Sequence, residues 1–262
     1  MTDAIEIREL SVRFGNRHAL GPLSVRVPAG RVLAIAGENG SGKSTLLRAI
    51  ARLVDWRSGD VLVGGRPAGD FSRRELAREI AYCPQLPELV FPIPVEDLVL
   101  QGRAPWRSGW LWENRDDRSA AARAMAACDV LELSRRDATK ISGGERRRAF
   151  LARMLAQSAP VWLLDEPTAD LDPRHRMEFL SLLASAHREH GATVLWATHD
   201  LNDALALADD ALLLREGRCV AAGPVADCLS PGNLEDAFAV GARVVEDAAG
   251  GRRVEFFPRS PR

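Results

Sequence analysis

No apolar run in these 262 residues approaches the roughly 18–20 needed to span a bilayer. The most apolar stretches, Val32–Ala36 and Val161–Leu164, are only strand-length. The opening segment MTDAIEIREL has neither the basic start nor the apolar centre of a signal peptide. An excess of one charge is missing too: 35 basic and 36 acidic residues leave a net charge of −1. Non-specific binding to a nucleic-acid backbone normally needs a basic excess, so that class is disfavoured. Cysteine is scarce, and Cys83, Cys128, Cys219 and Cys228 show no CxxC spacing, which indicates neither a zinc site nor a disulfide framework. There is no internal repeat and no low-complexity segment. What remains, 46% apolar and 27% charged, reads as an ordinary globular chain. Its length suits one large α/β domain, or a domain carrying a subdomain. The expectation is a soluble, cytosolic, reduced protein.

Alternating short apolar stretches broken by Gly and Pro open the chain, at Ile5–Phe14, Leu23–Val27 and Arg31–Ala36. A Gly-rich segment then leads into a helical pattern at Leu46, Leu47, Ile50, Leu53 and Val54. Asp60–Val63 before Gly64-Gly65 predicts a strand entering a hairpin turn. From about Ser72 to Gln157 the pattern is mainly helical, interrupted by a Pro-rich stretch, Pro84–Pro94, and a Trp-rich one, Pro105–Trp112. βα alternation returns with strand Val161–Leu164, helix Pro173–His190, strand Thr193–Ala197, helix Leu201–Ala208 and strand Ala211–Arg215. A short helix around Asn233–Val240 and a hairpin across Gly250-Gly251 close the chain. This layout is an α/β core with a helical subdomain inserted in its middle.

Gly37-Glu38-Asn39-Gly40-Ser41-Gly42-Lys43-Ser44 fits GxxxxGK[ST], and the context is right: an apolar strand precedes it and a helical pattern follows. Glycines let backbone N–H groups turn inward around phosphates, and the new helix aims its positive end at them. Lys43 would then bridge the outer phosphates and Ser44 would ligate Mg²⁺. A second motif, Val161–Leu164 followed by Asp165-Glu166, delivers two carboxylates at the end of an apolar strand. Asp165 suits work on Mg²⁺, and Glu166 can polarise a water for attack on a γ-phosphate. Pro167 also favours a turn there.

Three further segments complete a pattern: Ser142-Gly143-Gly144-Glu145 before a helical run, Gln85 after Tyr82-Cys83-Pro84, and His199 after strand Thr193–Ala197. In this order and spacing the chain resembles the ATP-binding subunit of an ABC (ATP-binding cassette) transporter over nearly its whole length. The resemblance implies a P-loop NTPase cassette of the α/β class. It would have a RecA-like core, an N-terminal antiparallel β-subdomain and an inserted α-helical subdomain. Residues 1–84 and 158–230 would form the core with its β-subdomain, 85–157 the helical subdomain and 231–262 a tail. It further implies that Phe14 stacks on adenine and that Gly37, Asn39, Gly40, Ser41, Gly42, Lys43, Ser44 and Thr45 hold the phosphates. Ser44, Gln85 and Asp165 would serve Mg²⁺, with Gln85 also sensing the membrane partner. Ser142, Gly143 and Gly144 would contact the nucleotide of an opposing subunit, and Ala169-Asp170-Leu171-Asp172 would cross the dimer interface. Glu166 and His199 match the catalytic base and the switch histidine. Ile141, Glu145 and Phe14 replace the commoner leucine, glutamine and tyrosine. The signature is a second glycine-rich helix N-terminus, hence a second anion site, so a head-to-tail pair could sandwich two ATP molecules.

Other readings stay beside these. Arg146-Arg147-Arg148 reads as a solvated or subunit-contacting face rather than a nucleic-acid site. His187 and His190 suit a helix C-terminus as well as a metal. Trp106, Trp110 and Trp112 divide evenly between subdomain packing and a docking surface. Gln101–Trp106, His199–Leu205 and Leu229–Phe238 are similar to segments of importers of iron-siderophores, haem and cobalamin, although Trp106 stands where a histidine is usual. The resemblance implies a homodimer of ATPase subunits beneath two integral-membrane permease subunits, with a substrate-binding protein acting indirectly. The workplace would be the cytoplasmic face of the membrane, with no nucleic-acid partner. Another ABC importer or exporter, or a soluble ABC ATPase of DNA repair or translation, remains an alternative.

Overall fold

A strand with no polar side chain needs neighbours on both edges and cover on both faces, and Val32–Gly37 has every residue buried. It pairs in parallel with Thr193–Thr198 on one side and Asp210–Arg215 on the other. The computed structural model describes residues 2–85, 89–107, 114–169, 171–246 and 251–258. The chain divides into two compact units, Met1–Asp70 with Thr193–Arg262, and Phe71–Ala192. In chain order the first unit contributes β1 (Asp3–Phe14), β2 (Arg17–Pro28), β3 (Val32–Gly37), α1 (Lys43–Ile50), β4 (Ser58–Val63) and β5 (Arg66–Pro67). The second unit holds α2 (Arg73–Glu79), β6 (Ile80–Cys83), α3 (Val95–Leu100), α4 (Arg115–Ala127), α5 (Gly143–Gln157), β7 (Val161–Asp165) and α6 (Pro173–His190). The first unit resumes with β8 (Thr193–Thr198), α7 (Leu201–Leu207), β9 (Asp210–Arg215), β10 (Arg218–Pro224), α8 (Val225–Cys228), α9 (Pro231–Phe238), β11 (Gly241–Glu246) and β12 (Arg252–Phe257).

Within the first unit, β2-β1-β4-β5 form an antiparallel sheet. The two-residue turn between β4 and β5 puts Gly64 and Gly65 at φ 56° and 82°, values that a tight hairpin turn demands. A second set of strands runs β10-β9-β3-β8. The C-terminal segment packs onto this set: Leu234, Ala237, Ala242 and Val254 share a core with Ala34 and Ala36 of β3. The β11–β12 hairpin is present, although Gly250 at its turn lies outside the described residues.

The second unit pairs β6 in parallel with β7, Ile80 opposite Val161 through Cys83 opposite Leu164. The sequence pattern reads the region around β6 as helical, because its partner lies far along the chain. Strand β10 is also missed, being an edge strand of small and polar residues. The helix starts are locally encoded: Ser72, Asn114 and Ser142 each form a capping box with an acidic residue three positions on.

Gln101–Trp106 is a packing clip on α5. The Arg103 guanidinium pairs with the buried Asp117 at 3.0 Å and donates to the Ala156 carbonyl at 2.8 Å. The Trp106 indole N–H donates to the Gln157 carbonyl at 2.7 Å, with Arg78 and Arg103 against its ring. Trp106 is held by this packing while 37% of its surface stays exposed; Trp110 and Trp112 lie outside the described residues. At Gly102, a Cβ would stand 2.1 Å from the Arg153 carbonyl oxygen, which belongs to helix backbone and cannot yield. Gly102→Ala is therefore expected to cost about 3 kcal/mol, read as a lowered thermal midpoint.

The cysteines differ in burial. Burial pushes the Cys83 thiol up to about 11 and those of Cys128 and Cys228 up to about 12, whereas Cys219 is exposed. A thiol reagent applied to the native protein should therefore label Cys219 first, the half-buried Cys83 more slowly, and Cys128 and Cys228 only on unfolding. Equal native labelling at all four positions would contradict this burial.

Candidate functional site

The phosphate loop closes between β3 and α1. Gly37, Gly40 and Gly42 adopt φ 149°, 80° and 107°, backbone conformations that glycine reaches without steric cost. Crowding also demands glycine: a Cβ at Gly37 would lie 2.2 Å from the Leu214 carbonyl oxygen, and one at Gly42 would lie 2.8 Å from that of Ala19. The loop is strapped from behind, with the Gly217 N–H donating to Ser41 O at 3.0 Å and the Gly21 N–H donating to Gly217 O at 2.7 Å. Lys43 is buried, and its Nζ donates to the carbonyls of Gly37 (2.8 Å) and Glu38 (3.1 Å). Ser41 Oγ is buried and has no hydrogen-bond partner among the described residues, a donor the loop itself does not use. Glu38, Asn39 and Gly40 are exposed at the rim, while Ser44 and Thr45 open α1, whose first-turn N–H groups are directed out of its N-terminal end.

Phe14 lies 51% exposed at the end of β1, opposite Arg17 in the register. The Arg17 guanidinium comes within 3.8 Å of where a Cβ on Gly40 would stand, so this hairpin end borders the loop. An exposed aromatic there is available to a flat ligand. His199, also exposed, follows β8 in a turn clamped on both sides. The Asp200 N–H donates to Thr198 Oγ1 at 3.0 Å, and the Asp200 carboxylate caps α7 by accepting from Asn202 and Asp203. The Val254 N–H of the C-terminal hairpin donates to Asn202 Oδ1 at 2.8 Å, tying that hairpin to the helix after His199.

In the second unit, β7 ends at Asp165, which is 1% exposed. The Tyr82 hydroxyl donates to Asp165 Oδ2 at 3.1 Å. Tyr82, the single tyrosine of the chain, is an orienting residue that sequence reading passed over; only its place beside Gln85 hinted at it. Glu166 follows at φ 47°, a left-handed conformation that a non-glycine residue adopts at some cost. Its carbonyl accepts from the Ala169 N–H at 3.2 Å, so the carboxylate projects from a tight turn rather than extending the strand. The turn expected from Pro167 is thus present. Gln85 is exposed beyond β6.

Ser142 caps α5, with Glu145 closing the box. The Ser142 backbone N–H and hydroxyl hold the Glu145 carboxyl below the usual range. Ser142 and Gly143 are exposed at this helix end. Asp172 caps α6 through the His175 N–H, while Asp170 lies outside the described residues. The arginine triplet departs from a solvated face: Arg147 is buried and Arg148 pairs with Glu178 at 3.6 Å. His187 Nδ1 bonds the Ala192 carbonyl at 2.8 Å and His190 packs edge-on to Trp162, roles in closing the helix end.

A glycine loop between a buried parallel strand and a helix, bridged by a buried lysine, defines a P-loop nucleotide-binding protein. The ABC transporter profile matches residues 20–169. The hemin import ATP-binding protein HmuV of Streptomyces coelicolor is 45% identical over 229 residues, 87% of this chain and 81% of that protein. The ferric enterobactin transport ATP-binding protein FepC of Escherichia coli is 34% identical, over 93% of this chain and 90% of its own. A solved metal-chelate type ABC transporter in an inward-facing conformation superposes with a TM-score of 0.85 at 26% identity, covering 98% of both chains. The chain belongs to the ABC transporter family, as an ATP-binding domain that hydrolyses ATP. Among the described residues no helix is long and apolar enough to cross a membrane.

Proposed function

We propose that this chain is the ATP-hydrolysing subunit of an importer for a metal chelate of the iron-siderophore, haem or cobalamin kind. The observation that carries the reading is the run of hemin and siderophore import proteins among its relatives, matched along most of their length. It works as a homodimer beneath two membrane-spanning permease subunits, peripheral at the cytoplasmic face, and a substrate-binding protein delivers the cargo. The helical segment 85–157 carries Gln85 and the signature residues Ser142, Gly143 and Gly144, and is assigned to contact with the permease and the second copy.

ATP is held by the phosphate loop, with Phe14 against adenine and Lys43 on the outer phosphates. The oxygen donors of Ser44, Gln85 and Asp165 are of the type that Mg²⁺ takes, and Tyr82 supports that assignment by orienting Asp165. When bound, the ion supplies charge neutralisation on the phosphates. Glu166 takes a proton from the attacking water, and His199 senses the γ-phosphate. The signature and Asp172 meet the nucleotide of the second copy, so chemistry waits for the pair to close.

The test is co-purification from membranes with the permease, followed by ATP-driven uptake of haem, a ferric siderophore or cobalamin into vesicles. Uptake of one of these supports the reading. Uptake of an unrelated solute, export, or recovery with ribosomes or nucleic acid and no membrane partner would replace it.

A further inference from the structure

The two glycines of the signature are not equivalent. A Cβ on Gly143 would meet nothing within 4 Å, whereas one on Gly144 would lie 3.0 Å from Cδ2, 3.4 Å from Cγ and 3.7 Å from Nε2 of His175. The imidazole therefore lies tightly against the side of Gly144 where any other residue would carry its side chain, and would have to give by a few tenths of an ångström to admit one. The same imidazole is latched to the cap of its own helix. Asp172 Oδ1 accepts from the His175 N–H at 3.1 Å, and Asp172 Oδ2 meets His175 Nδ1 at 2.5 Å. The His175 side-chain bond is the main cause that holds the Asp172 carboxyl below its usual range. One turn along both helices, Arg148 of α5 pairs with Glu178 of α6. The N-terminal ends of α5 and α6 are thus joined at two successive levels, with His175 at the level of the signature.

We propose that His175 is a positioning residue that sets the spacing between the signature turn Ser142–Gly144 and Asp172, presenting both as one rigid surface to the nucleotide of the opposing copy. This rests on the reading above, in which both segments face that nucleotide. The reason is geometric. Each segment is a helix N-terminus entered by a loop, and nothing local to either fixes its distance to the other. A planar ring bonded to one and lying against the other does so without filling the space that an anion needs beside Gly143.

The test uses the full-length chain. In a Glu166→Gln background, ATP-driven dimerisation is followed by sedimentation; in the otherwise wild-type chain, steady-state ATPase is measured. His175→Ala should weaken dimerisation and lower kcat by about 10-fold, the scale of a lost charge-assisted contact. Its affinity for a fluorescent ATP analogue should stay within about two-fold, because a single copy binds ATP through the phosphate loop of the other unit. His175→Asn, whose amide can keep the bond to Asp172 but not the ring over Gly144, should recover part of the loss. Gly144→Ala should be as damaging as His175→Ala, and its added effect should shrink by at least about three-fold when His175 is already alanine, since the methyl then has room. Should His175→Ala fail to fold by its thermal melt, His175→Asn and the Gly144→Ala pairing carry the test. Dimerisation and turnover of His175→Ala within about two-fold of the parent overturn the assignment, as do independent effects at the two positions. If the Glu166→Gln parent binds ATP yet does not dimerise, the sandwich reading itself fails and His175 loses its role with it.

Discussion

Glu166→Gln is expected to lower ATP turnover by at least ~100-fold while leaving ATP affinity within about two-fold, the signature of a lost general base. The structure makes this a clean substitution. Glu166 sits at φ 47° in the turn after β7, and its backbone carbonyl, not its side chain, accepts from Ala169. Glutamine has the same length and the same tolerance of that conformation, so the turn and the thermal midpoint should be preserved. What changes is basicity: a carboxamide cannot accept the proton released by an attacking water. Turnover near the wild-type rate would remove Glu166 from this role and direct attention to another base.

Lys43→Ala should reduce ATP affinity by at least ~100-fold, measured by titration with a fluorescent nucleotide. Each charge-assisted hydrogen bond from the ammonium to phosphate is worth roughly 1.5–3 kcal/mol, and 1.4 kcal/mol is tenfold in affinity. Two such bonds therefore suffice for the effect. The substitution also removes the internal brace, because Nζ spans the loop to the carbonyls of Gly37 and Glu38. Lys43→Arg should not restore binding: the side chain is 4% exposed, and a planar guanidinium needs room that this buried position lacks. Affinity within a few-fold of wild type in Lys43→Ala would show that the backbone N–H groups alone hold the phosphates.

The phosphate loop was legible residue by residue, because its chemistry is contiguous: eight neighbouring positions carry the glycines, the lysine and the hydroxyl, and their strand and helix flank them directly. Helix α6 was legible too, spanning Pro173–His190 as the βα pattern predicts. The strand β6 was not legible, since four residues acquire strand character only by pairing with Val161–Leu164. Nor was the role of Trp106, whose indole bond to Gln157 and pair of arginines come from three separate segments.

Local order along the chain was thus enough to establish the family pattern, the nucleotide loop and the acidic strand end, since each is written in residues that touch their sequence neighbours. Packing alone decided which side chains orient them. Tyr82 reaches Asp165 across 83 positions, and His175 lies on Gly144 only because two helices converge. The left-handed turn that presents Glu166 likewise belongs to backbone geometry rather than residue type. Contacts between distant residues carry no periodicity and no spacing rule, so they become visible only when the chain has folded. The absence of a spanning segment ends in the same place: a chain with only strand-length apolar runs spends them on a buried parallel strand that holds a phosphate loop.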